Sequence, residues 1–201
     1  MLSLSKANPH MSKPLFQALL DAVKSIYDAT PDLQNFGNWP QEMTYCDIAP
    51  NPVPAIRQIK KWQNAAPAHV ALQNVIDQCK WKQTYTEEEV GYGFLQDYGY
   101  IELFGPDGHF RTNDLRGYIA YWGRGLYYPW HNHQAQEIYC VISGSGVFEA
   151  ENTPTRICIV GDCQYHAAYQ PHALTLKDGP ILALVLWRGD GLQALPQIHK
   201  P

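Results

Sequence analysis

Two spacings of apolar residues divide the chain. Up to residue 80, apolar side chains recur every three or four positions, which is the period of an amphipathic helix. This spacing predicts helices over residues 12–29, 54–63 and 67–79. Ser12 is a candidate cap, and Pro14 is expected in the first turn of the first helix. The segment from residue 32 to residue 54 is predicted to be a loop with, at most, a short turn of helix.

From Trp81 onward, apolar residues form short runs that are rich in β-branched and aromatic side chains and are separated by glycine. Such runs predict strands over residues 98–104, 117–122, 137–143, 146–150, 155–160, 172–177 and 181–187, with turns at 105–108, 144–146 and 178–180. Many short antiparallel strands at this spacing are typical of a sandwich or barrel. We therefore predict a mainly β protein, with an α-helical extension over residues 1–80 and a β-barrel over residues 81–201.

The stretch from Gly125 to Gly144 is unusually polar for the wall of a barrel. Side chains two positions apart in an extended chain share a face. That parity collects His131, His133, Glu137 and Tyr139 on one side and places Cys140 on the other. A lone histidine in a β protein is more often a hydrogen-bonded core residue, but this whole face needs partners, because buried polar groups cost free energy without them. A divalent metal ion is the expected partner. Zinc, iron, manganese, nickel and cobalt all accept imidazole and carboxylate ligands, so the identity of the metal stays open.

The spacing of these residues resembles the two motifs of the cupin superfamily. The first motif is filled by Gly125, His131, His133, Glu137 and Gly144. The second resembles Gly161-Asp162 followed by Pro171-His172, with one spacer residue more than its shortest versions. This resemblance implies a cupin β-barrel, also called a double-stranded β-helix or jelly roll, in which His172 joins the ligands of the first motif.

Residues outside the two motifs are similar to those of the cupin dimethylsulfoniopropionate lyases. They are Tyr128, Tyr139, His172, the segment Leu186-Trp187-Arg188-Gly189-Asp190, and the entry to the barrel from Trp81 to Tyr85. The resemblance implies β-elimination of dimethylsulfoniopropionate to acrylate and dimethyl sulfide with one divalent ion, for which zinc, iron and manganese are the leading candidates. It further implies that the metal is bound by His133, Glu137, His172 and Tyr139. Tyr139 would be the catalytic base, and Tyr128, the second catalytic candidate, would line the substrate pocket with Trp187. His131 would lie beside the metal, as a ligand or as a substrate-binding residue.

Several further side chains have two interpretations. Tyr121, Trp122 and Tyr169 are candidates for a ring that contacts the sulfonium group, with core packing as the alternative. His166 is expected either beside the metal ligands or in the pocket wall. Cys158 and Cys163 are expected to be buried packing residues.

Composition and charge exclude some classes of partner. The formal net charge is -4 and the 15 Lys and Arg residues are scattered, so nucleic acid is not an expected partner. The basic residues Arg57, Lys60 and Lys61 are interpreted as a solvated helix face and not as an anion site. Five cysteines without a paired spacing indicate reduced thiols. The N-terminal stretch up to Lys13 lacks an apolar segment, so neither a signal peptide nor a membrane span is expected, and the expected location is the cytoplasm.

Two other classes of function remain open. Cupins of this size include isomerases and dioxygenases that act on sugars or carboxylic acids, since the pocket and not the fold sets the reaction. A non-catalytic small-molecule binder is the second alternative. In the main interpretation the partner is a small sulfonium carboxylate, and the sequence leaves the oligomeric state open, a homodimer included.

Overall fold

The computed structural model of the protein describes residues 9–198, with side chains from residue 12 onward. Residues 1–8, which hold most of the stretch where no signal peptide is expected, lie outside the described part. The helices are α1 (Pro9–Ala29), α2 (Pro31–Phe36), α3 (Ile56–Lys61), α4 (Pro67–Val75), a 3-10 turn (Ile76–Gln78), α5 (Glu87–Val90) and α6 (Tyr92–Gln96). The strands are β1 (Thr44–Tyr45), β2 (Trp81–Lys82), β3 (Tyr98–Gly105), β4 (Phe110–Arg111), β5 (Arg116–Trp122), β6 (Tyr127–Asn132), β7 (Gln136–Ala150), β8 (Arg156–Ile159), β9 (Cys163–His166), β10 (His172–Thr175), β11 (Ile181–Arg188) and β12 (Gln197–Ile198).

The predicted helices α1, α3 and α4 are confirmed, with differences at their ends. Helix α1 begins at Pro9, so Pro14 lies inside the helix and not in its first turn. The predicted turn of helix in the loop is α2, where Pro31 occupies a first-turn position. The short helices α5 and α6 were not predicted. Thr86 and Glu89 form a capping box that starts α5, a signal that the sequence does contain.

The strands of the described chain form one twelve-stranded sheet, in the order β1-β4-β3-β5-β11-β7-β10-β6-β12, with β2 on β3 and both β8 and β9 on β7. The predicted cupin jelly-roll class is confirmed, although the sheet does not close into a ring. Strand β7 joins its two halves. The first part of β7 pairs with β9 and β11, and its last part pairs with β8 and β10.

The turn predicted at residues 144–146 is wrong, because β7 continues through it. Gly144 has a φ of 81°, and a Cβ atom there would lie 1.9 Å from the Pro180 carbonyl oxygen. Close to it, the pairing of β11 with β7 shifts between Leu182, opposite Ser143, and Ala183, opposite Val141, which marks a β-bulge. Glycine therefore bends the strand here and does not end it.

Strands β6 and β9 were not predicted as strands. Pro129 lies inside β6 and cannot donate a backbone hydrogen bond. The pairing of β10 with β6 shifts between His172 and Leu174, so an irregularity accommodates the proline. Strand β9 is only four residues long and carries mixed polarity. Short, irregular strands of this kind are weak signals in a sequence.

Two apolar cores lie on opposite faces of the sheet. One fills the barrel with residues from both halves of the sheet, among them Tyr98, Trp122, Tyr139, Phe148 and Leu174. The other joins helices α1 and α4 to the outer face, where Phe16, Leu19 and Leu72 pack with Ile119 and Leu184. Val70 of α4 lies outside this core and is 41% exposed. The two predicted segments thus share a core, and the boundary at residue 80 stays a prediction.

The basic residues of α3 lie on its exposed side. Lys60 Nζ is 2.6 Å from Asp77 Oδ1, and both side chains are largely solvent-accessible. Exposed pairs of this kind contribute little to stability. None of the helices within residues 9–198 has the length and apolar character needed to cross a bilayer.

Candidate metal centre and active site

Three buried side chains converge at one end of the barrel interior. His133, Glu137 and His172 each offer one ligand atom, and these atoms lie within 4.8 Å of one another. Glu137 Oε2 is 3.2 Å from His133 Nε2 and 3.1 Å from His172 Nε2. Strand β10 lies between β6 and β7, so the pairing order itself brings the second motif to the first. The sequence-predicted residues of both motifs therefore meet.

The histidines are held in one orientation by main-chain carbonyls. The Nδ1 atoms of His131, His133 and His172 each lie 2.8 Å from the carbonyl oxygens of Pro129, Ala135 and Gln170, respectively. A carbonyl oxygen only accepts, so each Nδ1 donates the hydrogen bond, and Nε2 is the ring nitrogen left to bind a metal ion. His172 Nε2 is buried, and its 3.1 Å contact with Glu137 Oε2 lacks the geometry of a hydrogen bond. This tautomer and this donor set fit a metal ion.

Charge in the cluster is concentrated on Glu137. Burial alone would raise the pKa of its carboxyl group, but the adjacent His133 and His172 hold that pKa well below its ordinary value. Burial and the neighbouring His172 lower the pKa of His131 well below its ordinary value. One carboxylate among imidazoles is a suitable environment for a divalent cation.

His131 and His166 flank the three converging residues. His131 stacks on the Tyr128 ring with centroids 3.9 Å apart, and it lies outside the set of atoms that converge within 4.8 Å. His166 stacks on His172 at 4.0 Å. It has no exposed surface, and neither of its ring nitrogens has a hydrogen-bond partner among the described residues. His166 thus lies beside a candidate ligand and does not line the pocket.

A pocket opens beside the cluster and includes Glu137, Tyr139, Tyr128 and Trp187 in its wall. Trp187 Nε1 donates a hydrogen bond of 2.7 Å to Glu137 Oε1, and its ring stacks on His133 at 4.3 Å. The Tyr128 hydroxyl is 2.7 Å from that of Tyr85. Tyr128, Glu137, Tyr139 and Trp187 thus line the cavity. The other predicted site residues, His131, His133 and His172, each contact one of these wall residues.

Three pocket rings were not predicted, namely Tyr98, Tyr100 and Tyr118. Trp122 also lines the pocket, whereas Tyr121 packs with the helices on the other face of β5 and Tyr169 is 61% exposed. Alternation along β3 and β5 places these rings on the same face as Trp122. That periodicity is the signal in the sequence that groups these rings with Trp122.

A buried ion cluster forms the outer edge of the pocket. Arg116 Nη2 donates to Glu102 Oε2 at 2.7 Å, and Lys82 Nζ donates to the same oxygen at 2.9 Å. The Asp107 amide donates to Glu102 Oε1 at 2.9 Å. Arg116 also donates to the Leu192 carbonyl, which ties the C-terminal segment to the pocket wall. No sequence signal pointed to this cluster.

The Glu102 cluster is expected to make the protein sensitive to acid. Burial alone would raise the pKa of Glu102, but hydrogen bonds and charge from Arg116 and Lys82 lower it below the ordinary 4.5. A carboxyl group whose pKa is lower in the folded chain than in the unfolded chain stabilises the fold. This stabilisation is complete above the pKa of the unfolded chain and is lost as the pH falls through the pKa of the folded chain. The thermal midpoint should therefore decrease as the pH is lowered below about 4.5. Glu102→Gln should lose about 3 kcal/mol near neutral pH, because two cations lose their partner, and should fall less steeply in acid. Parallel curves for the two proteins would contradict this assignment.

Comparison with known proteins gives a consistent result. The chain matches the family model for dimethylsulfoniopropionate lyase over residues 53–183. It is 32% identical over 193 residues to the dimethylsulfoniopropionate lyase DddQ of Ruegeria pomeroyi, which covers 94% of this chain and 96% of that protein. The crystal structure of DddQ from Ruegeria pomeroyi DSS-3 has a TM-score of 0.88 to this chain, at 32% identity over 94% of this chain and 98% of that one. A chain from the crystal structures of the lyases RdDddP and RnDddQII has a TM-score of 0.91, at 36% identity over 94% and 100% of the two chains.

The jelly-roll fold, with imidazole and carboxylate groups converging inside it, defines a cupin with a candidate metal centre. The match over most of its length shows that the chain belongs to the dimethylsulfoniopropionate lyase family. Members of this family are carbon-sulfur lyases. The family resemblance expected from the sequence is thereby confirmed.

Proposed function

We propose that this chain is a metal-dependent lyase that cleaves dimethylsulfoniopropionate by β-elimination to acrylate and dimethyl sulfide. The observation that carries this proposal is the convergence of His133, Glu137 and His172 beside a pocket whose wall includes Glu137 and Tyr139. Membership of the lyase family supports the choice of substrate. The pocket supplies what the reaction needs, which is a site for a carboxylate, a base, and rings for a cation.

His133, Glu137 and His172 would hold the ion, with Tyr139 as a fourth candidate ligand. A divalent ion there supplies a Lewis acid for the substrate carboxylate and positive charge that offsets Glu137 next to the Tyr139 hydroxyl. That offset is needed because burial raises the pKa of Tyr139 well above its ordinary value, and the Glu137 carboxylate raises it further. Tyr139 is 4% exposed, so water does not compete for its hydroxyl.

The proposed reaction moves one proton and three electron pairs. A lone pair on the Oη atom of the Tyr139 phenolate forms a bond to the proton on the carbon next to the substrate carboxylate. The electron pair of that C–H bond becomes the new carbon-carbon double bond, and the electron pair of the C–S bond leaves with neutral dimethyl sulfide. Acrylate remains as the second product. Tyr139 is the candidate base because His133, His172 and Glu137 are used as ligands in this arrangement.

The sulfonium group requires electron-rich faces in a desolvated site. Trp187, Tyr128, Trp122 and Tyr118 all contribute to the pocket wall and are all buried. A cation over a desolvated ring gains about 0.5–2 kcal/mol. Trp187 is the strongest candidate among these rings, because its indole N–H is hydrogen-bonded to Glu137 and fixes the ring beside the floor of the pocket.

The proposed function is tested by the products. Purified metal-loaded protein is incubated with dimethylsulfoniopropionate, dimethyl sulfide is measured in the headspace, and acrylate is measured in the solution. We expect equal amounts of both, and no production above background with chelator-treated protein. If the metal-loaded protein gives neither product, the lyase assignment is wrong, and the isomerase, dioxygenase and binding alternatives take its place.

Trp187→Ala and Tyr128→Ala are expected to raise KM for the sulfonium substrate by about 10-fold, since each removes a ring that the cation contacts. Trp187→Phe keeps a ring and removes the N–H that Glu137 accepts, so its KM should rise less. Steady-state kinetics with gas detection measure these values. Tyr121→Ala is the matched control, because Tyr121 lies on the same strand as Trp122 and faces the helices. An unchanged KM in both alanine variants would assign these rings to packing.

A further inference from the structure

Cys140 and Cys163 lie directly opposite each other on neighbouring strands. Cys140 is on β7, Cys163 is on β9, and the two are register partners in an antiparallel pair. Both belong to the core between the sheet and the helices, on the face away from the metal centre. Both are free thiols, and the sequence alone gave no reason to pair them.

The backbone geometry at this position suits a disulfide. The Val141 amide donates to the Asp162 carbonyl at 3.0 Å, which makes the next pair along the strands the hydrogen-bonded one. Hydrogen-bonded and non-hydrogen-bonded pairs alternate along an antiparallel ladder, so Cys140 and Cys163 form a non-hydrogen-bonded pair. In such pairs the Cα atoms are about 4.5 Å apart, which lies within the range that a disulfide spans.

A small reagent has a route to one of the two sulfur atoms. Cys140 has no exposed surface, but Cys163 is 8% exposed and borders a surface cleft between α2 and β9. The cleft is also lined by Asp32, Phe36 and Arg188. Cys163 can therefore meet a small-molecule oxidant first, and Cys140, its register partner, can then complete the bond.

We propose that Cys140 and Cys163 are a reversible disulfide site on the back of the active-site strand. A small-molecule disulfide accepts two electrons from the two thiols and is released as two small thiols. In the first exchange Cys163 forms a mixed disulfide and one small thiol leaves. In the second, Cys140 attacks the Cys163 sulfur atom and the other small thiol leaves. Reduction by a dithiol reverses both exchanges.

The disulfide would clamp β9 to β7 next to the candidate centre. Tyr139 directly precedes Cys140 on β7. The register partner of Tyr139 is Gln164, which directly follows Cys163 on β9. Glu137 and His166 form the next pair on the same face. Closing a covalent loop between two strands reduces the freedom of the unfolded chain, so the oxidised protein should be the more stable form. This inference does not depend on the proposed reaction.

The site is tested by oxidising the protein with diazenedicarboxamide and mapping the linked peptides. The experiment uses a Cys46→Ser background, which removes a partly exposed thiol. Trypsin places Cys140 in residues 125–156 and places Cys158 with Cys163 in residues 157–177, and cleavage before Asp162 separates the latter two. We expect residues 125–156 linked to residues 162–177, with two thiols lost and both restored by dithiothreitol. The thermal midpoint should be about 5 °C higher in the oxidised form.

Single variants separate the possible outcomes. Cys140→Ala and Cys163→Ala should each abolish the link, whereas Cys158→Ala should retain it. A link through Cys158, or no link in protein that is folded and exposed to excess oxidant, overturns the proposal. If the predicted link forms and the midpoint does not rise, the clamping role is wrong.

Discussion

Replacing Tyr139 with phenylalanine is expected to lower the rate of dimethyl sulfide release by at least about 100-fold, the low end of what a positioned general base contributes. The substitution removes one oxygen atom and keeps the ring, which contacts Trp122 at 5.8 Å and Phe148 at 5.3 Å between centroids. Fold and metal content should therefore stay close to those of the parent. Turnover, circular dichroism and elemental analysis of the same preparation measure the three quantities.

Tyr128→Phe is the matched control for this variant. The Tyr128 hydroxyl is hydrogen-bonded to that of Tyr85 at 2.7 Å. Removing the Tyr128 hydroxyl therefore removes this hydrogen bond and leaves the proposed base in place. We expect a milder loss of rate. If Tyr139→Phe keeps the parental rate and Tyr128→Phe is inactive, the two tyrosines have exchanged roles. If neither variant differs from the parent, the elimination mechanism itself is contradicted.

His133→Ala is expected to reduce the bound metal from one ion per chain to well under one. The imidazole is one of the three groups that converge, and the remaining two, Glu137 and His172, leave a site with fewer donors. Because a metal that binds only the folded chain adds its binding free energy to folding, the thermal midpoint should fall with it. Elemental analysis and thermal unfolding with and without a chelator measure both effects.

His69→Ala provides the comparison, since His69 is equally buried and lies on the helix side of the sheet. Its ring is 3.0 Å from Ser143 Oγ and 3.0 Å from the Trp62 carbonyl oxygen. Its loss should destabilise the chain without changing the metal content. Parental metal content in His133→Ala would show that the convergence of His133, Glu137 and His172 does not bind the ion.

The face to which each side chain of β7 points was predictable, because successive side chains of the strand alternate between two environments. Ile138 and Cys140 pack towards the helices, and Tyr139 and Val141 face the barrel interior. Gly144 was misread because glycine marks turns far more often than it marks a bend inside a long strand. Only the pairing of β7 with strands on both sides of the bend distinguishes the two cases, and that pairing is made by residues distant in sequence.

The pocket rings were harder to predict than the metal ligands. Nearly every residue of β3 and β5 is buried, because the helices cover one face and the barrel encloses the other. Alternation in such a strand shows that Tyr118 and Trp122 share a face without showing which face is inside. The candidate metal ligands were predictable because their chemistry is out of place in an apolar core, a criterion that an aromatic ring does not meet.

The carbonyl groups that orient His131, His133 and His172 have an evolutionary consequence. Each carbonyl belongs to a residue two positions from its imidazole, so the course of the main chain sets the ring direction and the identity of neighbouring side chains does not. Substitutions around the centre can then accumulate without disturbing the donor atoms, provided that the backbone keeps its path.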